Sequence, residues 1–100
     1  DLPKRDFIFT EDAADAVLQL LKTEYTGVLN LGTGEMNSIK NISKIIENLS
    51  GKRIISANKD VSGPLEFKTD ISKIKKITGW SPKYTLEEGL TKTFDIMKNY

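Results

Sequence analysis

The sequence predicts a small α/β domain of the mixed α+β kind, with about four helices and three to four short strands, on three observations. Residues 11–22 and 39–49 carry apolar side chains at the 3.6-residue helical period. Residues 85–97 open on a helix-capping signature. The segments between them are short apolar or β-branched runs bounded by glycine and proline, which suits strands too short to stand alone as a ribbon. A chain of 100 residues fits one domain with one modest core, so residues 1–100 are read as a single unit.

Phe7–Phe9 has room only for a short strand. In the first helix, Ala13, Ala14, Val17, Leu20 and Leu21 share one face, Asp12, Asp15, Gln19 and Lys22 the other, and Thr10 precedes it as N-cap. Gly27 leads into a second short strand, Val28–Leu31. The next helix has the clearest stripe, Ile39, Ile42, Ile45, Ile46 and Leu49, with Ser38 as N-cap and Gly51 as C-cap. Such a stripe implies a buried face.

Arg53–Ala57 reads as a strand and Val61–Leu65, holding Gly63 and Pro64, as a loop. Glu66–Thr69 is a further short strand, after which Ser72 is the expected cap of a two-turn helix carrying Ile74 and Ile77. Gly79 stops that helix and Pro82 prevents its resumption. In the last element Thr85 and Glu88 form a capping box, and Leu86, Leu90, Phe94 and Met97 recur every three or four residues. Strands as short as Phe7–Phe9 and Glu66–Thr69 predict exposed edges or self-association that covers them.

Fifteen basic and fourteen acidic side chains are interspersed and leave a net charge of +1. This predicts no general attraction to nucleic acid or to anionic lipid. With no cysteine and no histidine, the chain offers no thiolate, no disulfide and neither the usual metal ligand nor the usual neutral-pH base, so no metal centre is expected. No signal-peptide-like run or membrane-length apolar segment is present, and a cytoplasmic protein is the simple expectation. The apolar share lies slightly under the globular norm, which permits a piece that leans on more protein. The chain also opens on Asp1 rather than Met, so its true start is expected elsewhere.

The stretch LNLGTGEMNSI, residues 29–39, has the strand, Gly-x-Gly turn and helix order of a dinucleotide-binding unit. Gly32 and Gly34 could fill the first two glycine positions. The third holds Asn37, whose side chain would obstruct close helix packing, and Glu35 would set a carboxylate among phosphates. No acidic residue ends a strand about twenty positions on. The glycines are therefore read as a strand-to-helix turn that needs positive φ.

Four ordered segments carry a family resemblance. RDFIFTEDAADAV (5–17), VLNLGTGEMNSI (28–39), TDISKIKKITGWSP (69–82) and YTLEEGLTKTFD (84–95) resemble successive stretches of the NAD-dependent epimerase/dehydratase family, the extended short-chain dehydrogenases that act on nucleotide sugars. The resemblance implies the carboxyl-terminal, substrate-binding lobe of such an enzyme, with the amino-terminal Rossmann domain that binds NAD or NADP absent from this chain. It also implies a UDP-, GDP-, dTDP- or CDP-linked sugar as ligand and the missing Rossmann domain as partner.

The family's Tyr-x-x-x-Lys pair is not here: Leu29 lies four residues after Tyr25, Glu88 four after Tyr84, and Tyr100 ends the chain. No catalytic residue and no cofactor-binding residue is therefore assigned, and the lobe alone is expected to be inactive. The competing expectation is a free-standing α/β binding or interaction module.

The resemblance assigns Arg5 to the substrate diphosphate, a role suited to the bidentate guanidinium fork. The alternative is a surface arginine paired with Asp6 or Glu11. Relatives carry an Arg-x-Gly-Asp type stretch near Lys59–Gly63; this chain reads KDVSG, leaving Lys59 as a substitute cation and Asp60 as a candidate for the ribose hydroxyls. Asp6 is read as structural, holding the turn into Phe7, and Asp12 as favouring its helix amino terminus through the macrodipole. Trp80 is expected to pack over the flanking helices, and Lys73, Lys75 and Lys76 to form a solvated face.

Overall fold

The computed structural model describes residues 3–55 and 66–99. Its β structure is minimal. Strands β1 (Lys4–Arg5) and β2 (Asn37–Ser38) pair antiparallel, with Lys4 opposite Ser38 and Arg5 opposite Asn37. Lys4 also bridges Glu66 in parallel, and the Phe67 N–H donates to the Lys4 carbonyl at 3.0 Å. The helices are α1 (Thr10–Leu21), α2 (Ile39–Ser50), α3 (Ser72–Thr78) and α4 (Leu86–Met97).

The mixed class is as expected, but the strands lie elsewhere. Phe7–Phe9, Val28–Leu31 and the described part of Arg53–Ala57 form no strand, and Glu66–Thr69 contributes one bridge. A β-prone run becomes a strand only where a partner supplies its ladder. Here the partners meet at residues 4–5 and 37–38, which carry no apolar alternation to reveal them.

Helix ends follow local chemistry closely. The Ser38 hydroxyl accepts from the Asn41 N–H at 3.0 Å, and Gly51 closes α2 at φ 70°. The Thr85 hydroxyl accepts from the Glu88 N–H while the Glu88 carboxylate accepts from the Thr85 N–H, completing the capping box of α4. Two caps differ from expectation. Phe9, not Thr10, is the N-cap of α1, and it makes no side-chain cap bond; its carbonyl accepts from Asp12 and Ala13. Ile71, not Ser72, is the N-cap of α3 and makes no side-chain cap bond; the Ser72 N–H donates to the Asp70 carboxylate at 3.0 Å. That backbone bond, with a further bond from the Ser72 side chain, holds the Asp70 carboxyl below the ordinary range.

The core is Ala16, Ile71, Ile74 and Trp80, with Ile8, Leu20 and Leu29 packed against it. It joins α1, α3 and the segments that follow β1 and Gly27, and Trp80 sits in it as expected. Lys73, Lys75 and Lys76 are exposed, Lys73 with its ammonium 5.3 Å from the Tyr25 ring centre. The stripe of α2 is only half covered. It packs against α4, yet no residue of α2 is buried, and Ile39 and Ile46 remain exposed.

Among the described residues, more large apolar side chains are exposed than buried. The accessible surface is 7616 Å², against about 5700 Å² for a compact protein of this mass. The radius of gyration is 15.7 Å, against about 13 Å for a compact domain of this length. The molecule is a slab of 47 × 33 × 18 Å with much apolar surface on its faces. No described helix is long and apolar enough to cross a membrane.

Two carboxylates hold distant segments of this slab together. Asp12, 1% exposed, accepts from the backbone N–H groups of Lys83 and Tyr84 at 3.0 and 3.1 Å. It therefore faces inward and does more than favour the helix dipole. Asp6 accepts from the Thr33 N–H (2.9 and 3.0 Å), the Thr33 hydroxyl (2.6 Å) and the Gly34 N–H (2.8 Å). Asp6 is structural, as expected, but its partners lie 27 and 28 residues away rather than in its own turn.

Gly34 has φ +81°, which glycine adopts freely. Gly32 is needed for a different reason: a Cβ there would stand 2.7 Å from both Asp6 Oδ2 and Thr69 Cβ. Asp12→Ala should cost about 2–4 kcal/mol in urea unfolding, because two amides lose a charged acceptor; a loss below about 0.5 kcal/mol contradicts the clamp. Gly32→Ala should cost about 2–3 kcal/mol from overpacking. It should exceed Gly51→Ala, where space is open and only the left-handed backbone resists, at about 1–2 kcal/mol. The reverse order would refute the close-approach reading.

Candidate functional site

β1 and the clamped turn at 32–34 set Arg5 opposite Asn37, which lines one cavity together with Phe7 and Thr33. The Arg5 guanidinium donates to the neighbouring Lys4 carbonyl at 3.0 Å. Neither carboxylate expected as its ordinary surface partner holds it. Asp6 is committed to Thr33 and Gly34, and Glu11 lies 3.4 Å from the Lys92 ammonium. Among the described residues, no salt bridge involves Arg5.

A groove in two joined parts runs past Asn37, the ladder partner of Arg5. One, about 170 Å³, is lined by Phe7, Thr33, Glu35, Asn37, Tyr84 and Leu86. The other, about 240 Å³, shares Phe7, Tyr84 and Leu86 and continues past Phe9, Gly89 and Leu90. Arg5 does not line either part but stands across the ladder from Asn37. α4 reaches this wall because Gly89 has no side chain: a Cβ there would lie 3.1 Å from Phe9 Cβ.

The wall is held by aromatic and ionic contacts. Phe9 and Tyr84 meet edge to face with centroids 4.8 Å apart. The Lys92 ammonium donates to the Tyr84 hydroxyl at 3.0 Å and lies 5.1 Å from its ring centre. That hydroxyl bond, then Glu11, push the Lys92 pKa up, so Lys92 stays a cation and is no candidate base. The groove offers aromatic faces, hydroxyls, an amide and a carboxylate, groups that can hold a ligand.

The glycine turn is not a phosphate cradle in this structure, since the Thr33 and Gly34 amides point at Asp6. Lys59 and Asp60 lie outside the described residues. Asp12 and Asp6 are the residues whose part sequence reasoning understated. Asp12 stands four and eight residues before Ala16 and Leu20, so the side of α1 expected to be polar is the one the core covers, while Val17 and Leu21 of the expected apolar face are exposed. Asp6 has no readable signal, because its partners are distant in sequence.

No protein-family model matches the sequence. The chain is 35% identical over 97 residues to a UDP-glucuronate 4-epimerase of Thermodesulfobacterium geofontis, covering 94% of this chain and 30% of that protein. It is 32% identical to GDP-L-fucose synthase 1 of Arabidopsis thaliana, covering 97% of this chain and 31% of that protein. The fold superposes on the Bacillus cereus UDP-glucuronic acid 4-epimerase, solved with UDP-glucuronic acid and NAD, with a TM-score of 0.80 and 30% identity. That match covers 98% of this chain and 33% of the solved one, so the chain spans about a third of the length of the proteins it matches. By sequence and by fold, the chain is homologous to about a third of the length of NAD-dependent nucleotide-sugar epimerases and related extended short-chain dehydrogenases.

Proposed function

We propose that this chain is the nucleotide-sugar-binding, carboxyl-terminal lobe of an NAD(P)-dependent epimerase/dehydratase, and that Arg5 grips the substrate diphosphate. The placement of Arg5 carries this reading: it is fixed on β1 opposite the groove-lining Asn37, and both acidic neighbours that could neutralise it are engaged elsewhere. A guanidinium so placed can give parallel hydrogen bonds to phosphate oxygens. Phe7 and Tyr84 offer apolar faces to a base or sugar ring, and Thr33 and Asn37 offer polar groups to hydroxyls. The similarity to proteins named for UDP- and GDP-linked sugars supports the ligand class. In this reading Lys59 adds a second cation and Asp60 meets the ribose hydroxyls.

The residues of this chain do not fit a dinucleotide, because the amides of its Gly-x-Gly turn are taken by Asp6. Cofactor binding therefore falls to a Rossmann domain of the longer protein. When bound there, NAD(P) supplies reversible oxidation of the sugar. This lobe binds and orients the nucleotide end and excludes water from it. The exposed Val17, Leu18 and Leu21 of α1 are surface that such a domain would cover.

Titration of the chain with UDP, followed by ¹⁵N amide shifts, tests the reading. Shifts should centre on Arg5, Phe7 and Asn37, and Arg5→Ala should weaken binding about tenfold, or about 1.4 kcal/mol. Equal affinity in folded Arg5→Ala, or no response around β1, would reject it. With NAD and UDP-glucuronic acid the chain should form no product; turnover would place chemistry within the lobe itself.

A further inference from the structure

We infer that Asp6 is the positioning residue for Arg5 and acts by closing the 32–34 turn upon itself. This deepens the diphosphate-binding reading and rests on it for ligand affinity, but the order of Arg5 can be read without a ligand. The Asp6 carboxylate follows Arg5 directly and makes four contacts of 2.6–3.0 Å to Thr33 and Gly34. Three residues beyond Gly34, Asn37 stands opposite Arg5, and Ser38 stands opposite Lys4. The Arg5 backbone is thus pinned on one side by the ladder and on the other by the carboxylate. A long side chain rooted in fixed backbone loses less entropy when its head group binds.

The clamp also settles two competitions. A free Asp6 carboxylate beside Arg5 would be a ready partner for the guanidinium, and its engagement with the turn removes that partner. The successive Thr33 and Gly34 amides form the kind of concavity that attracts anions, and filling it with a carboxylate keeps phosphate from lodging there. Gly32 permits the arrangement, since any side chain would strike Asp6 and Thr69.

Asp6→Asn keeps the size of the group and removes its charge. In the folded variant, the backbone order parameter at Arg5 should fall into the flexible range. UDP affinity should drop about tenfold, and Arg5→Ala/Asp6→Asn should bind no more weakly than Arg5→Ala, because both changes act through one group. Inorganic phosphate should shift the Thr33 and Gly34 amides in Asp6→Ala and leave them unmoved in the unaltered chain. An Arg5 as ordered as before in folded Asp6→Asn overturns the inference, as do fully additive losses in the double variant. If the unaltered chain does not bind UDP, the diphosphate reading fails, and Arg5 order alone decides the positioning role. If neither Asp6 variant folds, Thr33→Val removes the 2.6 Å hydroxyl contact; loosened Arg5 supports the inference and unchanged order overturns it.

Discussion

Asp12 lies in the first turn of α1 with its carboxylate sealed from water, and among the described residues it makes no ion pair. A buried carboxylate without partners would be costly, so the Lys83 and Tyr84 amides that point at it are a requirement of the fold. They tie α1 to a corner more than seventy residues away. From that corner the rest follows: Tyr84 meets Phe9, Thr85 starts α4, and Lys92 on α4 returns to Glu11 on α1. The groove wall is built from these same residues, so the buried charge that joins the two helices also shapes the site.

Asp6 repeats the device at the other end of the groove. The chain needs such clamps because, among the described residues, its other sources of order are meagre: two strands of two residues each, a core of four buried apolar side chains, and a helix α2 with no buried residue. A carboxylate that takes two or three donors contributes more per residue than one rung of a ladder, since hydrogen bonds to charged groups are the stronger kind. So small a core leaves much apolar surface open, Val17, Leu18 and Leu21 of α1 among it.

What could be read from the sequence was what is decided within a few residues. Ser38 and Gly51 bound α2, Thr85 and Glu88 start α4, and Gly79 ends α3 because those signals act through neighbouring amides and carbonyls. Trp80 was legible for a different reason, its size. The strands were not, because Phe7–Phe9 and Val28–Leu31 have the right residues and no partner, while Lys4–Arg5 and Asn37–Ser38 have a partner and no pattern. Arg5 stood out through the family's motif, whereas the hold that Asp6 exerts on the turn depends on a contact across 27 residues that spacing cannot announce.

Native-state amide exchange tests most directly the claim that carboxylates, rather than a sheet, hold this chain in shape. The Thr33, Gly34, Lys83 and Tyr84 amides lie outside every helix and strand, so ordinary loops would leave them fast. The account predicts that these four exchange as slowly as interior amides of α1 and α4. Exchange at the rate of exposed loop amides, with the helices still protected, would contradict it.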